Sequence, residues 1–148
     1  LTKKDIRNGS FGKFVIRNLS CRGLRAADSG LGPFRKASSD PYVKVSVREA
    51  TTAQVKETGV KKSELNPKWA EYLVFDVYQR YFEVCLEVLD KDQVGEDDSL
   101  GMFRFEIPDR DTDYTWMTDK ELQPNPVRRN KNVSTCGVIS FEYTIQYD

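Results

Sequence analysis

Histidine is absent from this chain. With it go the usual general base of nucleophilic and hydrolytic sites and the commonest ligand of transition metals. Cysteine is scarce and odd in number. Cys21, Cys85 and Cys136 lie far apart, with no Cys-x-x-Cys pair to indicate zinc or redox chemistry. Cys21 and Cys85 fall in strand-like stretches and read as small buried hydrophobes in a reducing compartment. No apolar run approaches the ~18–20 residues of a membrane span, and no signal-peptide pattern opens the chain. Net charge is zero, with 23 Lys+Arg against 23 Asp+Glu, so the total points to neither nucleic acid nor any other partner. No segment longer than a turn or two carries a 3.6-residue period, which excludes a helical architecture.

What is present suits one globular domain. The chain has 148 residues, 39% hydrophobic and 31% charged, enough to build a sizeable core. It opens on Leu1 rather than Met and reads as a piece of a longer protein. Residues 1–11 are polar and aperiodic, an N-terminal linker, and residues 12–148 form the domain. A period of two recurs along it. Phe14 and Ile16 share one side of the first strand, Val43, Val45 and Val47 one side of the next. Residues 51–63 read as a weaker, solvent-facing strand. Trp69, Leu73, Phe75 and Val77 alternate, as do Phe103, Phe105 and Ile107. Residues 109–136 are the least regular, with Trp116 and Leu122 as expected core anchors. Ile139, Phe141, Tyr143, Ile145 and Tyr147 form the cleanest half-buried strand. Seven or eight strands with turns between them predict an all-β antiparallel sandwich.

The most informative stretch runs from Tyr81 to Gly101. Phe82, Val84, Leu86 and Val88 lie on one side of a strand, and the same parity continues into Asp90 and Asp92. Asp98 returns six residues later from a loop turned at Gly95. Like charges gathered at a strand end repel one another, a cost that a bound cation removes, and oxygen-only donors favour a hard ion such as Ca²⁺ or Mg²⁺. The same pattern also fits a solvated acidic turn. An Asp-x-Asp phosphatase nucleophile at Asp90 would need a parallel sheet with crossover helices, which the remaining strand-like residues do not supply. An EF-hand is excluded because Val94 stands at its fifth position and Gly101 replaces its bidentate Glu.

Asp28, the run Ser39-Asp-Pro-Tyr-Val-Lys-Val, then Leu65-Asn-Pro-Lys-Trp-Ala-Glu, then Val88-Leu-Asp-Lys-Asp followed by Asp98-Ser-Leu-Gly occur in that order. Together they resemble the calcium- and phospholipid-binding C2 domain family, from about Gly12 to Tyr147. The resemblance implies an eight-stranded antiparallel Greek-key sandwich with three metal-binding loops at one end. It implies two or three Ca²⁺ ions held by Asp28 and Asp40 from loop 1 and by Asp90, Asp92 and Asp98 from loop 3, with loop 2 at Glu64 to Pro67. Loop 1 is longer than the family's usual spacing, which bears on Asp28. No strand is read before Gly12, whereas Gly137 to Tyr147 looks like the strand that opens the permuted form, so type II topology is expected.

The implied function is a non-enzymatic module of a signalling or membrane-trafficking protein. It would be cytoplasmic, monomeric and recruited by calcium to anionic phospholipid, phosphatidylserine or phosphoinositide. Leu31, Phe34 and Val94 are apolar at loop tips, with Arg35 and Lys36 beside them for headgroups. Phe34 could instead fold back as an anchor for its long loop. Lys56, Lys61 and Lys62, with Lys44 beside them, fall where the family often carries a basic lipid-binding face, or else form an ordinary charged edge. Arg128, Arg129 and Lys131 make a further small basic cluster or a solvated loop. The alternative function is a calcium-independent module that docks a protein partner or a neighbouring domain.

Overall fold

Strands whose alternate residues are apolar must lay those faces against one another. The computed structural model, which describes residues 11–26, 38–50, 52–92, 95–107, 110–127 and 137–148, does this with two four-stranded sheets. Its strands are β1 (Gly12–Arg22), β2 (Pro41–Arg48), β3 (Ala53–Glu57), β4 (Leu73–Val77), β5 (Glu83–Asp90), β6 (Asp98–Glu106), β7 (Thr112–Glu121) and β8 (Val138–Tyr147). One sheet has the order β4-β1-β8-β7 and the other β3-β2-β5-β6, with every ladder antiparallel. The last strand thus lies between the first and the seventh. No helix occurs among the described residues, and none there is long and apolar enough to cross a membrane.

The inner faces are those the alternation predicts. Phe14, Ile16, Phe75, Ile139, Phe141 and Ile145 from one sheet meet Val43, Val45, Val47, Val84, Leu86 and Val88 from the other, all fully buried. Phe141 spans the gap, its ring 5.4 Å from Phe105 and 6.2 Å from Phe103. Cys21 is buried in this core, which pushes its thiol up to about 12, while Cys85 is half-buried, its thiol also raised by burial. Both are free thiols.

Four features depart from the sequence reading. Residues 112–121 are a regular strand, although nothing in their pattern announces it. As an edge strand, β7 is exposed along most of its length, and two register shifts against β8 erase any period. Trp116 is accordingly not a core anchor. It lies opposite Glu142 on the outer face and is 56% exposed, whereas Leu122 is buried as expected. Trp69 is in the core but precedes β4, held by its backbone N–H to the Leu19 carbonyl (2.9 Å) and by its indole N–H to the Gly59 carbonyl (2.7 Å). Phe11, placed by sequence in the linker, donates to the Val77 carbonyl and accepts from the Asp148 N–H, both at 2.7 Å, so the residue just ahead of β1 is already tied to the sheet.

One irregularity positions the site. β5 and β6 pair as Val88↔Gly101, Leu89↔Ser99 and Asp90↔Asp98, so Leu100 is an extra residue on β6. This β-bulge shifts the parity of everything N-terminal to it by one. Without it Ser99 would face Asp90. With it Asp98 does, and Leu100 is driven into the core, fully buried. Gly101 accommodates the bend at φ 130°, a conformation that side chains disfavour.

The contrast between the two large aromatics is testable by urea denaturation. Phe141→Ala is expected to lower stability by about 3–5 kcal/mol. Trp116→Ala is expected to change it by no more than about 0.5–1 kcal/mol.

Candidate metal centre

The C-terminal ends of β1, β3 and β5 and the N-terminal ends of β2, β4 and β6 converge at one pole of the sandwich, because adjacent strands run antiparallel. There Asp90, Asp92 and Asp98 each present a carboxylate oxygen within 4.8 Å of the others. Asp90 is fully buried, and the other two are half-buried. Asp90 ends a strand paired on both sides, to Pro41 of β2 and to Asp98 of β6. Its Oδ1 accepts the Asp40 backbone N–H at 2.7 Å, and the Lys91 N–H in turn donates to the Asp40 carbonyl at 3.0 Å. Gly95, at φ 88°, turns the loop that returns the chain from Asp92 to Asp98.

Donor chemistry and spacing both fit a hard divalent cation. All three ligands are carboxylate oxygens, the donor type of Ca²⁺ and Mg²⁺ rather than of soft metals. Two oxygens bound to one Ca²⁺ at 2.3–2.6 Å stand at most about 4.6–5.2 Å apart, and 4.8 Å falls inside that limit. Left to themselves, unit charges at this distance repel by about 3 kcal/mol per pair at an effective dielectric near 20.

Asp40 is beside this group without belonging to the tight cluster. Its carboxylate Oδ1 accepts the Ser63 N–H at 2.7 Å. Ser63 has φ 50°, the left-handed conformation, and its loop runs directly into Glu64 to Pro67. That segment is tied to the same pole. The Glu64 N–H donates to the Ser39 carbonyl at 3.0 Å, and the Gly23 N–H to Asn66 Oδ1 at 2.9 Å. Arg25 donates through Nη2 to the Ser99 carbonyl at 3.0 Å, joining the base of the first loop to the residue after Asp98.

Of the other expected residues, Asp28, Leu31, Phe34, Arg35, Lys36 and Val94 lie outside the described residues, as do Arg128, Arg129 and Lys131. Lys61 and Lys62 are exposed. Lys56 is exposed on β3 but reaches across to β4, donating to the Val74 carbonyl at 2.5 Å with its ammonium 5.4 Å from the Phe75 ring. β3 is an edge strand, and Lys44 lies opposite Glu57 and Glu87.

Sequence reasoning missed Asp97. Its carboxylate accepts the Tyr42 hydroxyl and, through Oδ1, the Asp92 N–H at 2.9 Å, with Lys91 Nζ at 3.7 Å. Partial burial pushes its pKa up, but the Tyr42, Asp92 and Lys91 contacts outweigh that and hold it below the usual carboxylate range. The available signal was parity. Tyr42 sits on the face opposite Val43 and yet is buried, which requires a partner for its hydroxyl.

Two outcomes follow. In chelator, Asp98→Asn is expected to raise stability by of order 1 kcal/mol, because it relieves repulsion at unchanged shape; thermal melts in chelator check this. For Asp97 the folded pKa is depressed, so its stabilisation is present in full above the unfolded value of about 3.9 and is lost as pH falls through the folded value. The stability difference between wild type and Asp97→Asn is therefore expected to be flat from about pH 5 to 8 and to shrink below about pH 4. Denaturant titrations at each pH measure it.

Comparison with known proteins agrees with this architecture. Over 97 residues the chain is 34% identical to synaptotagmin-10 of Rattus norvegicus, a match that covers 63% of this chain and 17% of that protein. The chain thus spans less than a fifth of that relative's length. The structure of C2 domain A of a plant extended synaptotagmin 1 superposes with a TM-score of 0.72 at 24% identity, covering 94% of this chain and 97% of that one. The calcium-bound pair of C2 domains, A and B, of extended synaptotagmin 2 gives a TM-score of 0.62 at 23% identity, covering 93% and 46%. The family model described as the C2 domain matches residues 12–122, and on that match this chain belongs to the C2 domain family.

Proposed function

We propose that this domain is a calcium-dependent membrane-targeting module of a larger signalling or membrane-trafficking protein, and that it binds anionic phospholipid headgroups. The observation that carries the reading is the convergence of Asp90, Asp92 and Asp98 within 4.8 Å at the loop pole. Asp40, braced one residue before Pro41, and Asp28 complete the five-carboxylate set, enough for two or three ions. Calcium, when bound, supplies positive charge and open coordination positions that headgroup phosphate or carboxylate oxygens fill.

The chain's own residues then do three things. The aspartates concentrate negative charge at one pole, so that without the ion an anionic surface is repelled. Leu31, Phe34 and Val94 at the loop tips enter the headgroup layer, and Arg35 and Lys36 meet its phosphates. Lys61 and Lys62, exposed near the same pole, add attraction for phosphatidylserine or phosphoinositide. The relative whose solved form is calcium-bound supports the ion assignment. The place of β8 between β1 and β7 supports type II topology. The domain acts as a monomer, in the cytoplasm until recruited.

A calcium-independent docking role is the second reading. It is favoured by the exposed Tyr72, Tyr114 and Trp116 on one outer sheet face, with the Arg17 guanidinium 3.3 Å from the Tyr114 ring centroid.

Millimolar calcium is expected to raise the melting temperature by mass action. Vesicles containing phosphatidylserine should sediment the domain in calcium and release it in chelator. Asp90→Asn should abolish both effects, and Asp28→Asn should weaken them. Melting unmoved by calcium, or sedimentation equal in chelator, would overturn the reading in favour of protein docking.

A further inference from the structure

Asp97 adjoins Asp98 in sequence and carries the same carboxylate, yet it does not belong to the tight cluster. Strand parity explains this. Asp98 faces Asp90 on the inner side of the β5–β6 ladder, so the residue before it is directed the other way, toward the outer face of β2. Tyr42 waits there, paired with Leu89 and on the side opposite Val43. Its hydroxyl donates to one Asp97 oxygen, while the other accepts the Asp92 N–H at 2.9 Å. Lys91, which lies between two of the clustered aspartates in sequence, turns away from them. Its ammonium is 3.7 Å from Asp97 Oδ2 and 5.9 Å from the centre of the Tyr42 ring.

We propose that Asp97 is a positioning residue of the ion site rather than one of its ligands: clamped by Tyr42 and Lys91, it fixes the Asp92 backbone and so aims the Asp92 carboxylate at Asp90 and Asp98. This rests on the calcium reading above. The geometry is that of a brace behind a binding loop. One charge-assisted hydrogen bond, from the Asp92 N–H, ties the outgoing limb of the loop to the returning one across Gly95, a second, from the Tyr42 hydroxyl, ties the returning limb to β2, and a third group, Lys91, offsets the charge of Asp97 at the back. A loop held in its ligating shape before the ion arrives loses less conformational freedom on binding, so the brace contributes affinity without contributing a ligand. Tyr42 likewise acts at a distance from the ion, through Asp97.

Calcium titration by calorimetry, terbium luminescence lifetimes in light and heavy water, and amide exchange at Asp92 in chelator test this on the 148-residue chain with Asp97→Asn and Tyr42→Phe. The expected result is a calcium affinity reduced roughly five- to tenfold in both variants. The number of ions and of terbium-bound waters should equal the wild-type values, and Asp92 amide protection should fall in chelator. A lost ion or a changed hydration number in Asp97→Asn would make Asp97 a ligand and overturn the proposal. So would wild-type affinity or undiminished Asp92 protection in both variants. If the wild-type chain itself bound no calcium, the function proposed above would fall and this role with it, whereas normal wild-type binding with unaltered variants would overturn this proposal alone.

Discussion

Asp90 and Asp98 stand opposite each other at the end of an antiparallel ladder, and neither can retreat. Directly paired residues lie about 4.5–5.5 Å apart at Cα with side chains on the same face, so two carboxylates placed there are forced into company. Moving Asp98 away would mean undoing the bulge, and the bulge is locked because Leu100 is fully buried and Val88 pairs with Gly101 beneath it. Asp90 is equally fixed, with β2 on its other side and the Asp40 N–H on its Oδ1. The hydrophobic core thus holds the charges together against their repulsion.

The remainder of the pole is organised around that forced encounter. Asp40 is used twice, its N–H steadying Asp90 and its carboxylate steadying Ser63, so the first and second loops are anchored to the same point. The third loop is closed on its outer side by Tyr42, Asp97 and Lys91, which leaves its inner side to the clustered carboxylates. Net charge is zero for the chain as a whole, but it is far from evenly spread. Acidic groups crowd the loop end, while Arg17 is spent on Glu142 and Tyr114 and Lys56 on a neighbouring strand.

Much of the fold was legible in advance because a half-buried strand has a period of two that nothing else imitates over five or more residues. Val43, Val45 and Val47, or Ile139, Phe141 and Ile145, could hardly be read otherwise, and all proved fully buried. β7 was not legible. A strand at the sheet edge with two register shifts presents no continuous face to bury, so its sequence records no alternation, and Trp116 looked like core only because it is large and aromatic.

For the site, the local sequence determined the kind of chemistry: oxygen donors at a strand end, no imidazole, no paired thiols. It also placed Asp90 on the core-facing parity of β5, since a strand's alternation carries over to its last residue. Which carboxylates meet was decided by tertiary structure. Parity alone sets Ser99 against Asp90, and only a bulge paired across two strands exchanges it for Asp98. Likewise the division of labour between Asp97 and Asp98, adjacent and chemically identical, comes from what lies across the ladder on each face: Asp90 on one, Tyr42 on the other. A chain can encode its own alternation, but register is a relation between two strands, and the physical consequences of register appear only when they pair.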